Sequence, residues 1–289
     1  MKDFLFVLLF ISISQVASAA VTDYGKGVIK ISDVSYGSDP LHSMDIYTSA
    51  EIRRDKKSPV ILMVHGGAWK IGDKRAAAVV KNKMRRWVPV GFVFVSINYR
   101  LMPNADPFAQ MKDVEKALAF AQSKAEVWGG DPDKFILMGH SSGGYLVALL
   151  ASSYVQNNEK IRPLLGSVVL DSSPLDVVAM MNNNSRYRFL DGVFGNDADY
   201  WEKVSSFDNL SSEAKPILLV CSVWGRNCDQ AKEFISKANF LGVRTSLLKQ
   251  SLLHRNINQR LGVPGDYTRK VETFLSSLDG GVDRLLRNH

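Results

Sequence analysis

Short, continuous apolar runs recur along the chain and alternate with stretches of helical periodicity. Continuous runs are typical of parallel strands that are buried on both faces, and they occur at residues 59–64, 92–97, 135–138, 168–170 and 217–220. Helical periodicity occurs between and after them, at residues 75–88, 107–127, 143–154, 229–241 and 267–278. Strands that alternate with helices predict an α/β fold, with a mostly parallel sheet covered by helices on both faces.

Two parts of the chain depart from this alternation. Residues 28–36 and 42–47 alternate polar and apolar positions, which predicts antiparallel strands at one edge of the sheet. Residues 175–214 contain several aromatic side chains and three consecutive asparagines, but no clear buried strand. We expect this segment to form a small cap, which either covers the strand ends, where parallel sheets place their sites, or lies at an edge. Because no repeat or linker divides the chain, residues 20–289 are predicted to form one domain.

Composition agrees with a folded globular protein. Of 289 residues, 46% are hydrophobic and 22% are charged, which excludes a disordered chain. The net charge of +7 does not indicate nucleic acid as a partner, since no nucleic-acid motif accompanies it. The basic residues Lys81, Lys83, Arg85 and Arg86 belong to a predicted amphipathic helix, whose polar face we expect to be solvated. Two cysteines are too few for a disulfide scaffold or a four-cysteine zinc site.

The first nineteen residues have the pattern of a secretory signal peptide. Residues 4–13 are almost continuously apolar, and residues 17–19, Ala-Ser-Ala, have the small-x-small pattern that signal peptidases recognise. A run of this length is too short for a bilayer, which needs about twenty apolar residues, so stable membrane insertion is not predicted. We therefore expect an exported protein, periplasmic or secreted, that begins near Ala20.

A G-x-S-x-G motif follows the strand that is predicted to end at Met138. Residues 139–143 read Gly-His-Ser-Ser-Gly, and an apolar helical segment begins directly after them. A strand, a tight turn and a helix in this order are typical of a nucleophile elbow, which exposes the hydroxyl of the central serine. Ser141 is therefore the candidate nucleophile, rather than Ser142, which is not centred between the two glycines.

A second glycine motif, His65-Gly66-Gly67, follows the first buried strand. Glycines let backbone N–H groups approach a ligand oxygen closely. Acyl transfer needs such donors where negative charge develops in the transition state. We expect the amides of Gly66, Gly67 and Ser142 to form an oxyanion hole, His65 to shape the loop, and Trp69 to line the substrate pocket.

A serine nucleophile needs a general base, which is usually a histidine. The chain contains five histidines. Two belong to the glycine motifs, one precedes the centre of the sheet and one is the last residue, which leaves His254. This residue follows the last predicted strand, in agreement with the order Ser, acid, His that accompanies a nucleophile elbow.

The acid that orients this histidine is expected after the strand at residues 217–222. Asp229 is the only carboxylate of that loop and is the preferred candidate, although it begins the next helix, where aspartate is also a common cap. Asn227 lies closer to the expected position but carries no charge. If Asn227 occupies that position, the carboxylate comes from elsewhere, and Asp171 and Asp176, which follow the preceding strand, are the alternatives.

Both cysteines, Cys221 and Cys228, lie in this same loop. In the oxidising compartment of an exported protein they can form one disulfide, which would close a short loop. Two free buried thiols are the alternative. A disulfide here would hold the segment in which the catalytic acid is sought.

Four motifs occur in an order that resembles the carboxylesterase branch of the α/β-hydrolase superfamily: HGGAW at 65–69, NYRL at 98–101, GDP at 130–132 and GHSSGG at 139–144. This branch includes hormone-sensitive-lipase-like esterases, bacterial feruloyl and acetyl-xylan esterases, and arylformamidases. The resemblance extends from about residue 28 to residue 274 and implies a Ser-acid-His mechanism without a metal or organic cofactor. Ala68 stands in place of a third glycine and His140 in place of an aspartate, as on the feruloyl-esterase or formamidase side of the branch.

The sequence therefore predicts an exported serine hydrolase that cleaves carboxylic esters of small or aryl acids through an acyl-enzyme. Its expected partner is a small-molecule ester. An amidase, an arylformamidase or a peptidase is the alternative among enzymes, because acyl transfer to serine does not fix the leaving group. A non-catalytic binding protein on a hydrolase fold is the alternative of another class, which an incomplete acid would permit.

Overall fold

The predicted strands and helices form an α/β-hydrolase fold, which confirms the fold class. The computed structural model describes residues 20–25, 27–51, 57–154 and 158–287. The predicted signal peptide, residues 1–19, lies outside the described residues. Within them, nine strands form one mixed sheet: β1 (Val21–Asp23), β2 (Val28–Ser35), β3 (Ser43–Ser49), β4 (Ser58–Val64), β5 (Val93–Ile97), β6 (Gly130–His140), β7 (Gly166–Leu170), β8 (Ile217–Ser222) and β9 (Thr245–Gln250).

The strands lie in the order β1-β2-β3-β5-β4-β6-β7-β8-β9 across the sheet. The first three strands and β5 pair in antiparallel fashion, so the prediction of antiparallel strands near one edge is confirmed. From β5 to β9 every pairing is parallel. The carboxyl ends of six parallel strands therefore meet at one edge, where a site is expected.

The described helices are α1 (Ala77–Trp87), α2 (Pro107–Lys124), α3 (Ser142–Leu149), α4 (Val177–Asn182), α5 (Asp191–Phe194), α6 (Ala198–Val204), α7 (Asn227–Phe240), α8 (His254–Arg260), α9 (Asp266–Ser276) and α10 (Gly280–Arg287). Each long helix predicted from periodicity is present, within a few residues at its ends. The helix α8 was not predicted, because only Ile257 and Asn258 of it are buried and it has no periodic apolar face. It nevertheless begins at the candidate base, His254.

Apolar side chains of the strands point alternately into two cores, one on each face of the sheet. Leu62 of β4 belongs to the core that also contains apolar side chains of α2, α3 and α7. Its neighbours Ile61 and Met63 pack on the opposite face with α1, α9 and α10. Because both faces are covered, the central part of these strands is apolar at successive positions, which explains the continuous runs in the sequence.

Residues 175–214 form a cap of short helices, α4 to α6. The backbone N–H of Phe207 donates to the Leu175 carbonyl over 2.9 Å, which closes the base of this segment. The Tyr145 hydroxyl of α3 donates to the Val204 carbonyl over 2.6 Å, which ties the cap to the helix behind the candidate nucleophile. Since the cap also contributes pocket-lining side chains, it lies over the strand ends rather than at an edge.

One basic side chain of α1 is not solvated, contrary to the sequence-based expectation. Lys83 is only 1% exposed, and its side-chain nitrogen is hydrogen-bonded to the Asn258 carbonyl, to Asn258 Oδ1 and to the Ala78 carbonyl at 2.7, 2.7 and 3.0 Å. It thereby joins α1 to α8, the helix that was not predicted. In the described ranges, no helix is long and apolar enough to cross a membrane.

Candidate active site

Ser141 occupies a sharp turn between β6 and α3. Its backbone adopts φ 54° and ψ −126°, a conformation that costs a non-glycine residue about 1–3 kcal/mol and that persists where the surroundings enforce it. The turn is held by hydrogen bonds on both sides: the Ser141 amide donates to the Leu170 carbonyl over 3.0 Å, and the Ser172 hydroxyl donates to the Ser141 carbonyl over 2.9 Å. This is the geometry of the nucleophile elbow that the sequence predicted.

The loop after β4 packs directly on this elbow, backbone against backbone. A Cβ atom on Gly66 would lie 2.6 Å from the His140 carbonyl oxygen and 2.9 Å from the Ser141 Cβ. A Cβ on Gly143 would lie 2.3 Å from the His65 carbonyl oxygen. Two glycines are therefore required for the two loops to meet, and their meeting brings the Gly66 backbone against Ser141.

The three amides expected to form an oxyanion hole are available for a ligand. Within the described part of the chain, no acceptor takes the amide hydrogen of Gly66, Gly67 or Ser142. The Ser142 amide is at the first turn of α3, where helical N–H groups are unsatisfied and the helix dipole is positive. An oxygen that gains negative charge beside Ser141 would be stabilised there.

His65 is buried and supports this loop. Its ring stacks on Tyr99 with centroids 4.5 Å apart, and its Nδ1 lies 2.9 Å from the Gly66 carbonyl oxygen. The Tyr99 hydroxyl donates to the His65 carbonyl over 2.8 Å. Burial lowers the pKa of His65, so its ring is neutral and shapes the loop.

Trp69 lines the pocket from a buried position. Its ring contacts Tyr145 and Phe194 edge to face, at centroid distances of 5.3 and 5.4 Å. Its carbonyl accepts hydrogen bonds from the Met102 amide and the Gln110 side chain, both over 2.9 Å. The indole is therefore part of a fixed pocket wall between the core and the cap.

The carboxylate that contacts His254 is Asp171, at the end of β7. The His254 Nδ1 atom lies 2.7 Å from Asp171 Oδ2, and the Ser222 amide donates to Oδ1 over 2.7 Å. The Asp171 side chain is 1% exposed. Burial raises its pKa, but the hydrogen bonds from His254, Ser222 and Asn227 outweigh burial and hold the pKa below its ordinary value. Asp171 is thus an ionised carboxylate that fixes the histidine ring.

The prediction that Asp229 contacts the histidine is wrong. The Asp229 side chain is 70% exposed and pairs with Lys232, one turn later in α7, over 2.7 Å. It lies in the first turn of α7, as an aspartate near a helix N-terminus commonly does. Asp176, the other alternative, caps α4 by accepting from the Ala179 amide over 2.7 Å. Of the three carboxylates considered, only Asp171 reaches His254.

Asn227 supports the acid without replacing it. Its side-chain nitrogen donates to the Asp171 carbonyl over 3.3 Å, and its side-chain oxygen accepts from the Ser173 hydroxyl over 2.9 Å. The two cysteines of this loop, Cys221 and Cys228, form a disulfide. Of the two possibilities left by the sequence, a disulfide or two free thiols, the disulfide is the one present, and it closes the loop beside Asp171.

A further residue of the site is His140, whose contact with the base was not predicted. Its Nε2 lies 3.0 Å from the His254 carbonyl oxygen, and the two rings are 4.6 Å apart. Burial, together with the positive field of His254, lowers the pKa of His140 to about 3. The neutral ring therefore donates its Nε2 hydrogen to the carbonyl and holds the first residue of α8. The sequence signal that could have placed His140 in the site is its position directly before Ser141.

Ser141, Asp171 and His254 open into one cavity of about 380 Å³. Its wall also includes Trp69 from the loop after β4, Phe189 from the cap and residues of the loop after β8. Across the described ranges, no group of three or more His, Cys, Asp or Glu side chains is placed to hold a metal ion.

Several characterised proteins are similar to parts of this chain. Esterase LipQ of Mycobacterium tuberculosis is 35% identical over 133 residues, which are 46% of this chain and 31% of LipQ. Isoprenylcysteine alpha-carbonyl methylesterase ICME of Arabidopsis thaliana is 23% identical over 241 residues, which are 75% of this chain and 54% of ICME. The chain thus spans about a third of LipQ and about half of ICME.

Solved structures show the same fold at low sequence identity. Esterase B from Lactobacillus rhamnosis superimposes with a TM-score of 0.71 at 17% identity, over 90% of this chain and 87% of that one. A truncated carbohydrate esterase from gut microbiota superimposes with a TM-score of 0.67 at 17% identity, over 91% and 98% of the two chains.

The family assignment comes from the sequence itself. The profile of the BD-FAE family matches residues 44–223, which include the glycine loop after β4, the nucleophile elbow and Asp171. This match covers more than half of the chain. The protein is therefore a member of the BD-FAE family.

Proposed function

We propose that this protein hydrolyses carboxylic esters through an acyl-enzyme formed on Ser141. The observation that carries the proposal is the 2.7 Å contact between Asp171 and His254 in the same cavity as Ser141. A buried carboxylate that fixes a histidine beside a strained serine is an arrangement suited to nucleophilic catalysis. The esterase names of LipQ and ICME support the same reaction.

The first half of the reaction forms the acyl-enzyme. The Ser141 oxygen attacks the ester carbonyl carbon while its proton passes to His254 Nε2. The negative charge on the former carbonyl oxygen is stabilised by the amides of Gly66, Gly67 and Ser142. The C–O bond to the alcohol then breaks, and the alcohol leaves with the proton from His254.

The second half releases the acid. Water gives a proton to His254 and attacks the acyl carbon, and the bond to the Ser141 oxygen breaks as the proton returns to serine. Asp171 stabilises the imidazolium that forms in each half. Carboxylates stabilise such a cation strongly when they are buried, because few water dipoles screen the interaction.

The contact between Asp171 and His254 also bears on the alternative of a non-catalytic protein. That alternative depended on an incomplete acid, and a carboxylate is present at the histidine. An ester and the anilide of the same acid, assayed side by side, distinguish an esterase from an amidase or a peptidase.

Replacing Ser141 with alanine tests the proposal. The wild type is expected to hydrolyse 4-nitrophenyl acetate and to be labelled by a fluorophosphonate probe, whereas the S141A variant should do neither. Ser212→Ala, which changes an exposed cap serine, is the matched control and should behave as wild type. Unchanged turnover in S141A, or a wild type that the probe does not label, would refute the proposal.

We further propose that the protein is exported to the periplasm or beyond the cell. The apolar run at residues 4–13 and the Ala-Ser-Ala sequence at 17–19 support this, and the disulfide suits an oxidising compartment. Mass spectrometry of protein recovered from the periplasm or medium should find an N-terminus near Ala20. Protein that stays in the cytoplasm with residues 1–19 attached would contradict the proposal.

A further inference from the structure

The loop closed by the disulfide forms one wall of the cavity. We call residues 221–228 the disulfide loop, and five of them line the cavity: Ser222, Trp224, Gly225, Arg226 and Asn227. Its ends are joined through Cys221 and Cys228, and the Ser222 hydroxyl donates to the Leu252 carbonyl over 2.7 Å. A loop fixed in this way presents its side chains with little ordering cost when a ligand binds.

Arg226 of this loop brings an uncompensated cation to the cavity. No carboxylate of the described residues pairs with it, and its contact is a 3.3 Å hydrogen bond from Nη1 to the Ser185 carbonyl of the cap. Asp171 is the only carboxylate among the described residues that line the cavity, and it is occupied by His254 and Ser222. The other N–H groups of the Arg226 guanidinium can therefore donate hydrogen bonds to an anionic group of a ligand.

Three aromatic side chains accompany this cation at the cavity mouth. Trp224 of the disulfide loop is 69% exposed, and Tyr187 and Phe189 of the cap are 58% and 50% exposed. The rings of Tyr187 and Phe189 stack with centroids 6.1 Å apart and an interplanar angle of 29°. Exposed, nearly parallel rings offer flat apolar surface, which a planar ligand group can cover.

We infer that the cavity selects esters that carry an aromatic ring with a carboxylate, and that Arg226 is the specificity-determining residue for that carboxylate. This inference rests on the proposed function, since it concerns the substrate of the same site. A planar guanidinium matches a carboxylate with two parallel hydrogen bonds, which a lysine cannot provide. The aromatic ring of the substrate packs against the rings of the cap and the disulfide loop. Hydrolysis breaks the acyl C–O bond as in any other ester, and the carboxylate takes no part in the chemistry.

The test compares substrates that differ in charge but not in shape. In one pair, 4-acetoxybenzoate and 4-acetoxybenzamide, the carboxylate or its neutral amide is on the leaving group. In the second pair, the 4-nitrophenyl esters of 3-(4-carboxyphenyl)propanoic acid and of its carbamoyl analogue, it is on the acyl group. Preference for the anion in one pair only shows which side of the ester faces Arg226.

For the wild type we expect kcat/KM about tenfold higher for the anionic member of at least one pair, as for a hydrogen-bonded charge pair. The preference should fall as salt rises from 0.02 to 0.5 M. Arg226→Gln should bring the ratio close to one, because the anionic member loses its charged partner, and Arg226→Lys should give an intermediate ratio. Arg188→Gln removes an exposed cap arginine that does not line the cavity and should keep the wild-type ratio.

Two outcomes overturn the inference. The first is a wild type that hydrolyses the neutral substrates but shows no preference for the anions in either pair. The second is an equal change in the ratio for Arg226→Gln and Arg188→Gln, which would indicate a general effect of surface charge. A wild type that hydrolyses none of the substrates, with S141A indistinguishable from it, would instead refute the proposed function.

Discussion

The assignment of the acid to Asp171 leads to a sharp prediction for the Asp171→Asn variant. One carboxylate oxygen accepts the Ser222 amide hydrogen over 2.7 Å, and the other accepts from His254 Nδ1 over 2.7 Å. Asparagine has one acceptor oxygen, and the Ser222 amide, which can only donate, keeps it. The side-chain NH₂ group then faces Nδ1, so the ring must carry its hydrogen on Nε2. In that tautomer, the Nε2 atom of His254 has no lone pair with which to accept the Ser141 proton.

The expected loss in kcat is large because the wrong tautomer disables the base. Loss of this carboxylate in serine hydrolases lowers kcat by roughly 10⁴-fold, which corresponds to about 5 kcal/mol of activation free energy. Asp229→Asn is the matched control, because that side chain is 70% exposed and forms its ion pair with Lys232 rather than with a residue of the site. An exposed pair of this kind contributes little to stability because water screens it, and it does not contact the site.

The assay is the steady-state hydrolysis of 4-nitrophenyl acetate by both variants and the wild type, with thermal melts to establish that each variant is folded. Asp229→Asn should stay within about twofold of wild type, since its partner is outside the site. A folded Asp171→Asn protein with a rate within tenfold of wild type would refute the reasoning, and so would an equal loss in both variants.

Two further predictions concern stability. Replacing both Cys221 and Cys228, which are seven residues apart, with serine should lower the free energy of unfolding by about 2.5 kcal/mol, from the chain entropy of so short a loop; equal urea midpoints for variant and wild type would contradict this. Burial lowers the pKa of Lys83 to about 7, below its value in the unfolded chain, so between about pH 7 and 10 the unfolded state binds more protons and stability rises with pH. Urea unfolding of the wild type should give a free energy of unfolding that is higher at pH 9 than at pH 7, by about 2 kcal/mol at most from this group. Lys83→Met should lack this increase. Identical pH dependences in the two proteins would contradict a lowered pKa for Lys83.

Much of the fold was predictable because burial on both faces has a local signature. The strands β4 and β5 are apolar at all positions but one each, and Ser141 follows a similar apolar run between two glycines that no other residue type could replace without a clash. The helix α8 was not predictable in this way. Its place is fixed by partners distant in the chain, such as Lys83, whose burial contradicts the usual rule that lysines are solvated.

The choice between Asp229 and Asp171 was beyond sequence reasoning for a geometric reason. The strands β7 and β8 are parallel neighbours, and Leu170 pairs with Val220. Residues that follow these two partners therefore lie side by side, separated by about one strand spacing of 4.8 Å. An aspartate directly after β7 therefore starts about as close to His254 as one directly after β8 would. The order of strands does not decide between them, and the expectation of an acid after β8 selected Asp229, which lies in α7.

This placement of the acid also explains why the disulfide loop can contact the substrate. An acid on β8 would constrain its loop to hold a carboxylate against His254. With Asp171 on β7, that loop contributes the Ser222 amide and the Asn227 side chain to hold the acid. Trp224 and Arg226 are exposed at the cavity and take no part in holding the acid. A change at Arg226 should therefore alter which esters are cleaved, whereas a change at Asp171 should alter how fast every ester is cleaved.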